Sequence, residues 1–399
     1  MDTENTESPR ATLRTLVSFS VVDATNHANY GLPRWTYHDA DYFAVEMDRL
    51  IRPSWQIVCH LSDLHSPGRY RTLDILGESI VVIRGDDDKI RAFANVCRHR
   101  AMRLVEGTQG CAKRIVCPYH AWTYALDGRL TGVPMRGDYP ALDMPDTGLF
   151  AVDLEVWQGF VFVRLKNNGG PSVAEMMALA DAEIAPYRFA DMQPIGTSWS
   201  QPRNVNWKNV GDNYSDNLHI PVAHDGLSRL FGKSYAIEAK GWIDKMSGEI
   251  VDRPSANFWE RFYQTHLPRV AHLPESAQRR WLYFKLWPNM AFDIYADQID
   301  FMHWVPTGPT TCTMRVMAYA LPDDRREMRL ARYANERINR IVNREDTWLI
   351  EGVQQGMQSS FFTAGPLAAS EVCLRNFATR VRDIIPETCL PHPPASYSA

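Results

Sequence analysis

Cys97-Arg98-His99-Arg100 and Cys117-Pro118-Tyr119-His120-Ala121-Trp122 each place one thiol and one imidazole on a short segment, with residues 100–116 between the two sets. Two such loops can converge and offer two sulfur and two nitrogen ligands to one group. A [2Fe–2S] cluster held by two Cys on one iron and two His on the other needs that set, and the histidines raise its reduction potential well above that of an all-Cys cluster. A Cys₂His₂ zinc site uses the same count. Zinc knuckles usually separate the Cys pair from the His pair, whereas each segment here mixes the types, so the cluster is the better reading. Cys111 lies between the loops but off the pattern and reads as structural.

The surroundings of these loops read as β-structure. Ile80 to Ile83 is a β-branched run, Asp86 to Lys89 a polar turn and Ile90 to Phe93 a return strand. Ile115 to Tyr124 predicts a further strand running into an Asp127–Gly128 turn, and Phe160 to Val163 another. A turn-rich break at residues 167–171 follows. Beyond it Ser172 to Tyr187 predicts a helix with a Ser cap, then strand-like runs at Met290 to Tyr295 and Thr313 to Ala320, and a long helix from about Asp323 to Met357. The expected organisation is α+β, with an all-β domain over residues 55–166 ahead of an α+β domain over 167–399. Residues 1–54 lack strong periodicity and are assigned to wrap around the β module, packing on the second domain.

A second constellation lies in the run from Asn206 to His224, where His219 and His224 flank Pro221. Pro221 should end any helix carrying His219, letting His224 swing back toward it. Two imidazoles and one carboxylate on one face of Fe(II) leave positions open for O₂ and solvent. The long C-terminal helix offers the carboxylate. Asp346 has Val342, Leu349 and Ile350 as helical neighbours, and Glu345 has Ile341, Trp348 and Leu349, so periodicity does not choose between them.

The two motifs together closely resemble the Rieske non-haem iron oxygenase family, over about Trp55 to Ile385. The family often has Gly where this chain has Ala101 and Ala121. The resemblance implies a Rieske [2Fe–2S] domain, held by Cys97, His99, Cys117 and His120, ahead of a helix-grip, START-like catalytic domain. It implies a mononuclear Fe(II) on His219, His224 and Asp346, the last because the family's third ligand is an Asp in a similar Glu-Asp helical motif. It assigns Asp216 to the acid that links an iron-ligand His to the Rieske His of a neighbouring subunit, usually in a trimer. Electrons would come from NAD(P)H through a ferredoxin, a ferredoxin reductase or both. The expected reaction is mono- or dioxygenation of a small aromatic substrate, with oxidative N- or O-dealkylation of a methylated amine or ether as the alternative.

Composition narrows the field further. Lys plus Arg number 43 against 47 Asp plus Glu, which leaves no electrostatic footprint for nucleic acid or an anionic membrane. Leu16 to Val22 is too short and poorly flanked for a signal peptide or membrane span, and seven scattered Cys argue against a disulfide framework, so a cytoplasmic protein is expected. No Gly-x-Gly-x-x-Gly unit follows a strand, and the glycines before Lys233-Ser234 are misspaced for a phosphate loop. Phe258, Trp259, Phe262, Tyr263, Trp281, Tyr283, Phe284 and Trp287 could line a substrate pocket, though core packing explains most of them. A Rieske electron carrier is the rival reading, and it leaves the second constellation without a purpose.

Overall fold

The computed structural model describes residues 28–394; Leu16 to Val22 lies outside the described residues. After a short helix α1 (Ala40–Glu46) come ten strands: β1 (Gln56–His60), β2 (Arg69–Ile75), β3 (Glu78–Arg84), β4 (Ile90–Ala94), β5 (Gln109–Cys111), β6 (Ile115–Val116), β7 (Thr123–Tyr124), β8 (Leu130–Gly132), β9 (Asp153–Trp157) and β10 (Phe160–Arg164). They form sheets in the orders β1-β10-β9, β4-β3-β2-β5 and β6-β7-β8. The run Ile80–Ile83 is fully buried in β3, which has a partner on each side. The single strand expected over Ile115–Tyr124 is instead β6 and β7, parted by Cys117–Trp122. Pro118 has no N–H to give a ladder, and Ala121 turns the chain back with φ 57°.

The helix expected from Ser172 to Tyr187 is broken into α2 (Val173–Met177), α3 (Asp181–Ile184) and a 3₁₀ turn. Ser172 does cap it, with Glu175 completing a capping box. Pro186 lies in the first turn of that 3₁₀ segment, and Arg188 ends the run in the left-handed region with φ 55°. Then follow β11 (Gln193–Arg203), α4 (Trp207–Tyr214), α5 (Ile220–Ala223), α6 (Asp225–Phe231), β12 (Ala236–Lys240), β13 (Ile243–Glu249), α7 (Phe258–His266), β14 (Arg280–Leu286), β15 (Met290–Ile294), β16 (Ile299–Gly308), β17 (Thr311–Ala320), α8 (Arg326–Met357) and α9 (Val372–Ile384). The seven strands make one antiparallel sheet, β11-β17-β16-β15-β14-β13-β12. The chain is therefore an all-β module followed by an α+β domain, as its sequence predicts.

The period of two along each strand sorts the sheet's faces. Leu282, Phe284, Phe292 and Ile294 join Trp157, Phe160 and Phe162 in one core, so the β module covers that face. Trp281, Tyr283 and Tyr295 turn the other way and pack with Ala331, Ala334 and Ile338 of α8. Residues of the N-terminal segment clasp α4 from outside. Lys208 Nζ lies 2.8 Å from Glu46, both fully buried, and Trp207 Nε1 donates to the same carboxylate. Tyr37 donates its hydroxyl proton to Asp212 at 2.6 Å. Breaking such a buried pair leaves a charge without compensation, a loss of about 3–5 kcal/mol, so α4 is held firmly at its first turn, and Tyr37 adds a hold nearer the end that enters the site. No described helix is long and apolar enough to cross a membrane.

Candidate functional site

The two Cys/His loops share one backbone plan. Cys97 N–H donates to Met102 O and Ala101 N–H to Cys97 O; Cys117 N–H donates to Trp122 O and Ala121 N–H to Cys117 O. Ala101 and Ala121 both have φ 57°, in the left-handed region. That conformation costs an alanine about 1 kcal/mol, and the turns form nonetheless. The loops bring the rings of His99 and His120 to 4.6 Å between centroids, with Trp122 stacked on His99 at 4.8 Å. Cys97 and Cys117 are buried and free. The Nδ1 atoms of His99 and His120 are buried with no hydrogen-bond partner among the described residues. Buried ring nitrogens rarely go unpaired. Two free thiols and two orphaned imidazole nitrogens on facing loops fit a [2Fe–2S] cluster. Tyr124 places its hydroxyl 3.4 Å from Cys97 Sγ while accepting the N–H of Arg98, a contact of the kind that tunes a cluster's potential.

The second set is built differently from the sequence expectation. Pro221 does not end a helix that carries His219. It is the second residue of α5, where its missing N–H would have had no partner, and His219 is the N-cap. His224 closes α5 and opens α6. One helical turn thus returns both imidazoles to the same side, 4.9 Å apart and 75° to one another. From α8, Asp346 Oδ1 lies 2.9 Å from His224 Nε2 and 3.7 Å from His219 Nε2. One ligand atom from each of the three residues falls within 4.8 Å of the others, close enough for a single metal ion.

Each imidazole is also gripped from behind. His219 Nδ1 is 2.8 Å from Asp216 Oδ2, and Asp216 further accepts the backbone N–H groups of Leu218 and His219. Burial works to raise the Asp216 carboxyl, but these bonds and the His219 ring outweigh it and hold it below the ordinary value. His224 Nδ1 is 2.8 Å from Glu345 Oε2. Burial disfavours a proton on His224, yet Asp346 and then Glu345 win and raise its proton affinity. A divalent cation between Nε2 and Asp346 would take the place of that proton. Periodicity could not choose between Glu345 and Asp346 because both reach the same imidazole, one at each nitrogen. A carboxylate that only accepts holds the proton on Nδ1 and leaves Nε2 as the donor atom.

Sequence reasoning missed Asn213, whose Nδ2 donates to Asp346 Oδ1 at 2.7 Å. Its place three residues before Asp216, near the end of α4, was the available signal. A cavity of about 880 Å³ opens beside the three ligands, walled by Tyr214, Tyr235, Tyr283, Leu227, Met302 and Val316 among others. Of the eight aromatic residues singled out from sequence, Tyr283 is the one in that wall. Phe284 and Trp287 are core, and Phe258 is exposed. Among the described residues no ion pair or hydrogen bond joins the cluster loops to the second set.

A β module with a mixed Cys/His cradle, joined to a domain that gathers two histidines and a carboxylate beside a cavity, defines an iron-dependent oxygenase with its own electron relay. Comparison with known proteins agrees. Residues 54–144 match the Rieske [2Fe-2S] domain and residues 190–387 the ring hydroxylating alpha subunit (catalytic domain). The chain belongs to the Rieske non-haem iron oxygenases, as an oxygenase component, and with them it depends on a Rieske cluster, a mononuclear iron, O₂ and an electron-transfer partner.

Among relatives, the chloroplastic choline monooxygenase of Amaranthus tricolor is 28% identical over 84% of this chain and 72% of its own length. The carnitine monooxygenase oxygenase subunit of Escherichia coli K12 is 36% identical over 49% of this chain, and the match spans 53% of that relative. The glycine betaine monooxygenase oxygenase subunit of Chromohalobacter salexigens is 36% identical over 50% of this chain and 44% of its own length. Among solved structures, a quaternary ammonium Rieske monooxygenase superposes with a TM-score of 0.77 at 24% identity, covering 90% of this chain and 97% of its own. Naphthalene 1,2-dioxygenase from a Rhodococcus species gives 0.74 at 19% identity, covering 89% and 94%. Both share the fold.

Proposed function

We propose that this chain oxidises a methylated ammonium compound, and that oxidative N-dealkylation describes its chemistry better than hydroxylation of an arene. The observation that carries this is the substrate class in the relatives' names. Choline, carnitine and glycine betaine are all quaternary ammonium compounds, and these relatives share 27–36% of aligned residues with the chain. When bound, the cluster supplies electrons one at a time and the iron a centre at which O₂ is activated. The chain's residues do the rest. Cys97, His99, Cys117 and His120 hold the cluster, and His219, His224 and Asp346 the iron. Asp216 and Glu345 keep the Nδ1 protons of the two histidines in place. Asn213 fixes the Asp346 oxygen that faces both rings. The cavity walls exclude water and position the methyl-bearing group. We further assign Asp216 the bridge between His219 and a cluster histidine of a neighbouring copy, in a trimer fed by a ferredoxin or its reductase.

The test is product analysis with a generic reductase system, NADH and ¹⁸O₂, over quaternary methylammonium compounds, methoxyarenes and arenes. Substrate-dependent O₂ uptake with formaldehyde release from the ammonium compounds is expected. A cis-diol from an arene, with no turnover of any ammonium compound, would overturn the proposal.

A further inference from the structure

One end of the cavity gathers two carboxyl groups that, among the described residues, no Lys or Arg pairs with. Asp293 on β15 and Asp300 on β16 stand directly opposite one another, and both line the cavity. Like charges at such a pair destabilise a sheet. Asp293 is only 9% exposed. It accepts hydrogen bonds from the hydroxyls of Tyr214 and Tyr295, and Asp300 accepts one from Gln298. Neither forms an ion pair with Lys or Arg among the described residues. The charged groups that act on them are other carboxylates, Asp346 on Asp293, and Asp293 with Asp297 on Asp300.

The cavity's two guanidiniums are engaged elsewhere. Arg340 is paired with Glu336, and Arg203 donates to Asn343 at 2.8 Å. Arg203 lies opposite Cys312 on β17 whereas Asp300 lies opposite Ala318, six residues and about 20 Å further along that strand. Three tyrosines stand at the same end. Tyr283 lies 6.4 Å from Tyr214 and 6.3 Å from Tyr235 between ring centroids, and all three line the cavity.

Burial pushes Asp293 up to about 7 and Asp300 well above the usual carboxylate range, so both tend to hold their protons, and a cation brought beside them favours the charged form. The pattern of hydrogen bonds says which cation fits. The hydroxyls of Tyr214 and Tyr295 take one acceptor site on each Asp293 oxygen, so a primary ammonium would find part of its acceptors already spent. A fully alkylated nitrogen has no N–H to satisfy and asks only for charge and for π faces. We infer that Asp293 and Asp300, with Tyr214, Tyr235 and Tyr283, form the subsite for the cationic head of the substrate and select a quaternary ammonium over primary amines and over uncharged isosteres. This rests on the function proposed above and extends it to named specificity-determining residues.

The experiment is binding calorimetry on the iron-loaded holoenzyme with three probes: choline, its uncharged carbon isostere 3,3-dimethylbutan-1-ol, and ethanolamine. Wild type is expected to prefer choline over both by at least about tenfold. Asp293→Asn should reduce the preference over the carbon isostere about tenfold, with the cluster's visible spectrum unchanged as evidence of folding. Asp300→Asn provides the same reading should the first variant fold poorly. An unchanged preference in both variants, while wild type still oxidises ammonium compounds, would overturn the subsite and leave the proposed function standing. Failure of wild type to bind or oxidise any ammonium compound would overturn both.

Discussion

At the scale of single residues, the site depends on what stands behind each metal-binding group. His219 and His224 each give Nδ1 to a carboxylate, Asp216 from the preceding turn and Glu345 from α8. These braces hold tautomer and ring orientation, and removing one typically lowers metal affinity about 10–100-fold. Glu345→Gln is therefore expected to weaken iron binding by that order, measured by equilibrium dialysis, with the cluster spectrum intact. Asp346→Ala is expected to abolish mononuclear iron altogether. If Glu345→Gln bound iron as tightly as wild type, the bracing role would be lost. The sequence showed which two residues competed for the inward position on α8. It could not show that both were used, because the two nitrogens of one imidazole lie in different directions and periodicity measures only one.

At the scale of elements, much of the plan was readable. The strands at Ile80–Ile83 and Phe160–Val163 and the long helix α8 follow from β-branched runs and helical period. Short loops did not follow. Pro221 reads as a stop signal, yet it sits where a helix begins, because a proline's missing N–H is harmless in the first turn. The strand expected over Ile115–Tyr124 is interrupted by a loop that doubles back between Cys117 and Trp122, closed by its own backbone hydrogen bonds and not by strand propensity. Ala101 and Ala121 mark that shape, each at φ 57°. Glycine adopts this conformation freely but gives up more chain entropy on folding, so the net gain from Ala→Gly is small. Ala121→Gly is expected to stabilise the β module by about 0.5 kcal/mol. Thermal denaturation of the holoprotein would read this as a rise of about 1–2 °C, and a fall would show that the turn is unstrained.

At the scale of the whole molecule, the two halves are locked through buried polar groups. Arg315 donates to the carbonyls of Ile57 and Val58 and to His303 Nδ1, and His303 Nε2 lies 2.8 Å from Gln56. Arginine can only donate, so His303 is neutral with its proton on Nε2. Burial pushes His303 well below its ordinary pKa and His60, in the same seam, to about 4. Both folded values lie below the unfolded value of about 6.5, so the unfolded chain takes up protons first. This stability is complete above about pH 6.5 and is lost as the pH falls toward 4. At pH 5 the loss amounts to about 2 kcal/mol per histidine as an upper figure. Melting temperature is expected to drop from pH 7.5 to 5, and His303→Gln should shrink that drop. An equal drop in the variant would remove His303 from the account.

Helix α8 supplies Asp346 and Glu345 to the two nitrogens of His224, Asn339 to Tyr295, and Gln354 to α4 through Asn206 and Asn209. Inserting or deleting one residue would rotate everything beyond it by about 100° and shift it by 1.5 Å. A brace and a ligand on adjacent residues would leave their imidazole together, while the far end lost its hold on α4. This helix can thus change its letters but not its length. A change of length is therefore expected to be tolerated only outside the stretch from Asn339 to Gln354.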